Sequence, residues 1–290
     1  MNEIVILSGK GGTGKTSITA AFASLNQNIV IADCDVDAAN LHIILKPQNY
    51  FEQQFVTGNK ALVNNNLCTS CGTCIQYCRF EAISFLNGKI SISASACEGC
   101  KLCEKVCPEK AISMYQNSLS KSFVANVKNG IMVHARLAAG EDNSGKLVTW
   151  VKNKARYIQK QKNFDIILVD GPPGIGCPVI ASISGADKIV LVTEPTIAGM
   201  ADLQRIIKLL KNFNGQKFII VNKADINDDI ALNIQKLAIA ENIVFLGKIP
   251  YNIIFTQAMI NCKSIIDFDD EHEVSLLLKT MWNKIIDNAQ

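Results

Sequence analysis

The chain has 290 residues, 48% of them hydrophobic and 19% charged, with a formal net charge of +3. That is ample apolar material for a sizeable core, yet no run approaches the roughly 18–20 residues needed to span a bilayer, and no Lys/Arg stripe with interleaved aromatics marks a nucleic-acid surface. The start, Met1 to Leu7, lacks the basic region and cleavage site of a secretion signal, so the eleven cysteines point to metal or redox chemistry in the cytoplasm rather than disulfides.

Residues 3–8 form a β-branched run that predicts a first strand, ending in Ser8-Gly9. A glycine-rich turn follows, then helical spacing over Lys15–Leu25 and a second apolar strand over Asn28–Ala32. The turn, Gly9-Lys10-Gly11-Gly12-Thr13-Gly14-Lys15-Thr16, satisfies G-x-x-x-x-G-K-[ST] in its required strand–helix context. Glycines let backbone N–H groups curl round a β-phosphate, and the helix N-terminus adds partial positive charge. Lys15 then reaches the β/γ oxygens, and the Thr16 hydroxyl is placed for Mg²⁺. The residues expected to bind nucleotide here are Gly9, Gly11, Gly12, Thr13, Gly14, Lys15 and Thr16.

Between about Gly58 and Gln116 the long apolar strands vanish and cysteines cluster. Cys68-x₂-Cys71-x₂-Cys74-x₃-Cys78 is followed by Cys97-x₂-Cys100-x₂-Cys103-x₃-Cys107-Pro108, each cysteine 29 residues after its counterpart. The duplication extends to Glu81-Ala82-Ile83-Ser84 and Lys110-Ala111-Ile112-Ser113. This is the spacing of bacterial ferredoxins with two [4Fe–4S] clusters, in which the fourth cysteine of each run ligates the other cluster. One cluster is then expected on Cys68, Cys71, Cys74 and Cys107, and the other on Cys97, Cys100, Cys103 and Cys78. Zinc sites favour paired C-x₂-C knuckles over four-cysteine runs ending in x₃-C. Two such clusters, each about −2 with its thiolates, would take the formal charge to about −1. Arg79 stands where a proline usually follows the fourth cysteine.

The β/α alternation resumes with strands at Phe164–Val169, Lys188–Val192, Lys217–Val221 and Ile243–Leu246. Strands on both sides of the cysteine island predict one α/β, doubly wound, mostly parallel sheet with an insertion. The expected domains are residues 1–57 and 118–290, interrupted by an α+β ferredoxin unit at 58–117. At the C-terminus Val274, Leu277, Leu278, Met281, Trp282, Ile285 and Ile286 share one helical face. Few basic residues line that helix, so docking onto the sheet is expected rather than membrane association.

The string Lys10-Gly11-Gly12-Thr13-Gly14-Lys15-Thr16 resembles the deviant phosphate loop of the MinD/ParA/Mrp superfamily of P-loop ATPases, and members with an inserted ferredoxin match nearly the whole chain. Ile29 to Asp37 resembles that family's switch I, Ile166 to Gly174 its Walker B and switch II, and Thr193-Glu194-Pro195-Thr196 the loop after its next strand. The segment His134 to Val148 resembles a stretch of the ferredoxin-bearing members. The resemblance implies that Lys10 crosses a dimer interface to the partner's phosphates, making Lys10, Lys15, Asp35 and Asp170 the catalytic set. Asp35 would orient or deprotonate the attacking water, with Asp33 and Asp37 as alternatives, and Asp170 would hold Mg²⁺ through water. Asn222-Lys223-Ala224-Asp225 matches the N-K-x-D sequence by which GTPases read guanine, which keeps GTP as the alternative. In this group, however, a similar asparagine contacts adenine, and the paired lysines Lys10 and Lys15 of the phosphate loop favour ATP. ATP is therefore expected, with Asn222 and Asp225 near the base.

Of the three other cysteines, Cys34 and Cys262 read as core residues. Cys177 lies seven residues after Asp170, the offset of a cluster ligand in the nitrogenase iron protein, but the matching second cysteine is missing between Ile131 and Val148. The resemblance implies a homodimer, or a heterodimer with a related ATPase, and a redox protein partner. ATP, Mg²⁺ and two [4Fe–4S] clusters would together make an ATPase that couples dimer closure to electron transfer. An iron–sulfur carrier and a ParA-like positioning ATPase with structural clusters are the alternatives.

Overall fold

The computed structural model describes residues 2–56, 58–117, 120–138 and 144–287. The chain divides into two compact units, one of Met1–Glu52, Phe123–Ala135 and Ser144–Gln290, the other of Gln53–Ser122 and Arg136–Asn143.

The first unit starts with β1 (Asn2–Ser8), α1 (Lys15–Ser24), β2 (Ile29–Asp33), α2 (Leu41–Leu45) and β3 (Gln48–Phe55). After the second unit's elements β4 (Gly58–Val63), α3 (Thr73–Tyr77), β5 (Ile83–Leu86), β6 (Lys89–Ile92), α4 (Leu102–Val106) and β7 (Ile112–Asn117), the chain continues with β8 (Ser120–Val127) and β9 (Gly130–Arg136). Then come α5 (Ser144–Lys162), β10 (Ile166–Pro173), α6 (Cys177–Ile183), β11 (Lys188–Thr193), α7 (Ile197–Leu210), β12 (Gln216–Asn222), α8 (Asp228–Ala240) and β13 (Val244–Ile249). Three helices finish the chain: α9 (Ile254–Ile260), α10 (Ile265–Phe268) and α11 (Glu273–Asp287).

The large sheet runs β13-β12-β11-β1-β10-β2-β9-β8-β3. The seven strands from β13 to β9 are parallel. Such strands are buried on both faces, which is why β1, β2, β10 and β11 read as unbroken Val/Ile/Leu runs rather than alternating ones. Ile4, Ile6, Leu168 and Val190 point to one face and pack with Phe22 of α1 and Leu278, Met281, Trp282 and Ile285 of α11. Phe22 and Trp282 meet with ring centroids 4.9 Å apart. The Lys188 ammonium, buried under α11, donates to the carbonyls of Ile285 and Ile286 and satisfies the helix's open C-terminal end. No helix among the described residues is long and apolar enough to cross a membrane.

On the opposite face α5 packs on β2 and α6 on β10. Buried Glu3 of β1 pairs there with Lys152 at 2.7 Å and Arg156 at 2.6 Å, and Lys152 also donates to the Ser184 carbonyl. β1 connects to β2 on one side and has β11 on its other side. The phosphate loop therefore opens at the C-terminal strand ends where the winding reverses, the usual crevice of such sheets.

The second unit holds two antiparallel pairs, β4 with β7 and β5 with β6. Its backbone records the 29-residue repeat: left-handed residues occur at Ser70 and Gly99 (φ 57° and 64°), at Gly72 and Lys101 (77° and 65°), and at Glu81 and Lys110 (50° and 49°). A Cβ at Gly99 would lie 2.0 Å from the Asn59 carbonyl oxygen. Gly99→Ala is therefore expected to destabilise this unit by more than about 2 kcal/mol, through left-handed strain and the clash together. Ser70→Gly, at the equivalent and tolerant position, should change stability by less than about 1 kcal/mol. Urea unfolding of the full chain compares the two.

Candidate nucleotide site and cysteine cavities

Helix α1 begins directly at the phosphate loop, with Gly14 left-handed (φ 87°) at its N-cap. A Cβ there would strike the Asn222 amide nitrogen at 2.3 Å. That nitrogen donates to the Thr13 carbonyl at 2.8 Å, so the end of β12 braces the loop. Loop and switch residues line a cavity of about 640 Å³, among them Gly11 to Ser17, Asp35, Asp37, Ile43, Pro172 and Met259.

The floor of this cavity is a charge cluster. The Lys15 ammonium is buried and donates to Asp170 Oδ1 at 2.8 Å, with Asp35 3.7 Å away. Thr16 Oγ1 donates to Asp170 Oδ2 at 2.8 Å, and Thr19, one helical turn on from Lys15, donates to Oδ1 at 2.9 Å. Burial opposes the charge on Lys15, but Asp170, Asp35 and Asp33 outweigh it and the ammonium's pKa is raised. Parallel pairing puts Asp33 in register with Asp170. Full burial, and then the Asp170 charge, push the Asp33 carboxyl well above the usual carboxylate range. Its Oδ1 accepts from the Asp35 N–H at 3.1 Å, while Oδ2 has no partner among the described residues. Burial also raises Asp35, against the pull of Lys15. Of the three alternate acids, Asp35 and Asp37 line the cavity and Asp33 lies beneath it. The Thr16 hydroxyl and Asp170 carboxylate form the hard all-oxygen donor set that suits Mg²⁺.

At the loop's other side Lys10 is ion-paired with Glu194, which Lys223 also reaches at 3.3 Å. Burial works against the Glu194 carboxylate, yet these two lysines outweigh it and hold its pKa low. Lys223 donates further to the Gly12 carbonyl at 2.9 Å. The motif reading assigned no role to Glu194, Lys223 or Thr19; only the i, i+4 spacing of Thr19 from Lys15 signals its placement. Asp225 Oδ1 accepts from the Tyr251 N–H at 2.6 Å, and Asn222 is engaged with the loop, so neither residue contributes to the cavity lining.

In the second unit one small cavity is lined by Cys68, Cys71, Cys74 and Cys107, with Pro108 and Ile112. Another is lined by Cys78, Cys97, Cys100 and Cys103, with Tyr77 and Met114. Each brings three cysteines of one run together with the last cysteine of the other. Among the described residues no three His, Cys, Asp or Glu side chains converge tightly enough for a single metal ion. The all-thiolate donor set of each cavity is the kind that iron–sulfur clusters take. Burial raises the Cys74 thiol and pushes Cys103 up to about 11, whereas hydrogen bonds from Thr73 lower Cys71. Cys177 is exposed at the start of α6, and Cys34 is fully buried. Gly140 and Glu141, part of the segment between His134 and Val148, lie outside the described residues.

A model of the CobQ/CobB/MinD/ParA nucleotide binding domain matches residues 4–265. Uncharacterized protein MJ0578 of Methanocaldococcus jannaschii is 36% identical over 230 residues, 78% of this chain and 79% of that protein. Septum site-determining protein MinD of Thermotoga maritima is 26% identical over 216 residues, 73% of this chain and 59% of that one. Among solved structures, MinD from Pyrococcus horikoshii complexed with Mg-ADP superposes with a TM-score of 0.60 at 18% identity, covering 99% of this chain and 96% of the other.

The buried Asp33 carboxyl makes a pH prediction. The native chain keeps a proton that the unfolded chain releases near pH 3.9, so this group's effect on stability worsens as pH rises through that value. Asp33→Asn keeps the acceptor for the Asp35 N–H without the ionisation. It should stabilise the chain at pH 7, by an amount that shrinks towards pH 4. Paired urea titrations at the two pH values read this; a difference independent of pH would contradict it.

Proposed function

The chain belongs to the CobQ/CobB/MinD/ParA family of nucleotide-binding domains, and from that membership we propose that it uses ATP to gate electron transfer through two [4Fe–4S] clusters. It is a P-loop ATPase of the MinD/ParA type. The observation that carries the redox half of the proposal is the pair of cavities in the second unit, each lined by four cysteines drawn from both runs. The clusters, when bound, supply one-electron chemistry without proton transfer.

The chain's own groups divide the ATPase work. Backbone N–H groups of the phosphate loop meet the phosphates, and Lys15 turns from Asp170 towards the β/γ oxygens. Thr16, and Asp170 through water, would hold Mg²⁺. Asp35, on the cavity wall beside Lys15, orients the attacking water. Lys10 leaves Glu194 to reach the phosphates of a partner chain, either a second copy or a related ATPase, so closure of the dimer and nucleotide binding become one event. A redox protein is the partner for the second unit.

A second reading draws support from the likeness to septum site-determining MinD: a positioning ATPase in which the cysteine unit is structural. An iron–sulfur carrier is a third. Anaerobic reduction followed by EPR, with and without Mg-ATP, separates them. Reduction of an external acceptor that depends on ATP, and is lost in Lys15→Ala, is the expected result. Electron flow indifferent to ATP favours positioning, and cluster transfer to an apo-acceptor favours the carrier. Lys10→Ala should retain nucleotide binding but lose hydrolysis roughly a hundredfold, the scale for removing one donor aimed at transition-state charge. Nucleotide titration and phosphate release measure the two effects separately.

A further inference from the structure

Lys60, on β4, is only 6% exposed, a rare place for an ammonium. It donates to the Cys97 carbonyl at 2.7 Å, and the next residue, Ala61, donates its N–H to Cys97 Sγ at 3.4 Å. Among the described residues no carboxylate forms an ion pair with Lys60, and a buried cation without an anion is costly. The anion within reach is the thiolate set to which Cys97 belongs. The 29-residue repeat supplies an internal comparison: the residue equivalent to Lys60 is Lys89, at the start of β6, and it is exposed. The two halves of the unit match in sequence pattern, but Lys60 is buried where Lys89 is exposed.

We propose that Lys60 sets the order in which the two cysteine sites take up electrons, making the site of Cys78, Cys97, Cys100 and Cys103 the one reduced first. The inference rests on the reading of this unit as a carrier of two [4Fe–4S] clusters. One electron from a low-potential, one-electron donor raises the negative charge of the occupied site by one. No bond forms or breaks. A nearby buried cation favours the more negative state, and the low local dielectric strengthens that preference. Of the other charged residues, Glu98 and Lys101, of opposite sign, line the cavity of Cys97, and Glu109 lines the other. Backbone N–H groups reach sulfur at both sites, Ala61 to Cys97 at 3.4 Å and Ala111 to Cys107 at 3.3 Å among them. The Thr73 hydroxyl at Cys71, 3.3 Å away, is neutral, and Cys71 is exposed, so it weighs less than a full buried charge.

The test is an EPR-monitored potentiometric titration of the anaerobically prepared full chain, after its iron content is counted. Eight irons per chain and two separate midpoints are expected in the unaltered protein. Lys60→Met should lower the higher midpoint by at least 59 mV, tenfold in that one-electron equilibrium, and leave the lower one in place. Lys60→Arg should preserve both, and Lys89→Met should move neither. If Lys60→Met fails to assemble, Lys60→Gln keeps a donor for the Cys97 carbonyl without the charge and should give the same shift. Eight irons with both midpoints unmoved in the Met or Gln variant would overturn the role of Lys60 alone. An unaltered chain that takes up no iron, or zinc instead, would overturn the cluster reading and this inference with it.

Discussion

The nucleotide cavity is organised by the buried contact between Lys15 and Asp170. Three donors converge on this one carboxylate: the Lys15 ammonium and the hydroxyls of Thr16 and Thr19. All three come from the first turns of α1, so the contact fixes that helix against the end of β10. Parallel pairing then brings Asp33 alongside Asp170 with no room for water. Two carboxylates and one ammonium cannot all be charged there cheaply. Burial and the Asp170 charge ease the conflict by favouring the protonated form of Asp33, and Asp35 and Asp37 are the acids that line the cavity. The phosphate loop is braced from the opposite direction by Asn222, and the same contact excludes any side chain at Gly14.

Much of this was legible in the residues because the relevant constraints are local. A phosphate loop is one turn between a strand and a helix, and each glycine or lysine in it answers to a neighbour a few positions away. The buried parallel strands were equally plain, as apolar runs of the right length. What sequence could not resolve depended on partners far along the chain. The alternation Asp33-Cys34-Asp35-Val36-Asp37 shows three acids but not which of them look onto the cavity, since that follows from the register with β10. Asn222 and Asp225 read as a base-recognition pair; the contacts that place them, Asn222 Nδ2 to the Thr13 carbonyl and Asp225 Oδ1 from the Tyr251 N–H, reach more than twenty residues away in each case. Strands β3, β8 and β9 also went unread. They flank the cysteine island, and β3 is almost entirely exposed, without the apolar run that betrays a central strand.

The second unit shows the opposite balance. Its cysteine spacing states the chemistry more clearly than its modest core does, with Ala61, Ala82, Ile83, Ile90 and Ile112 packed among the sulfurs. The duplication survives in backbone conformation even where side chains have diverged: Ser70 answers to Gly99, and Gly72 to Lys101. A repeated dihedral with an unrepeated residue marks positions where geometry, not side-chain identity, is what the fold requires. Lys60 and Lys89 show the converse, the same residue type in equivalent positions but in opposite surroundings. Two halves of common pattern can therefore carry different electrostatics.

The depth of Cys34 has a consequence for how the protein meets oxygen and electrophiles. This thiol sits between Asp33 and Asp35 at the end of β2, and burial drives its pKa far above the ordinary thiol range. Oxidants and alkylating agents act on thiolates, and on those they can touch. Damage would fall first on exposed Cys71, Cys100 and Cys177. A chain whose peripheral sulfurs have been scavenged would thus keep the carboxylate strand chemically intact.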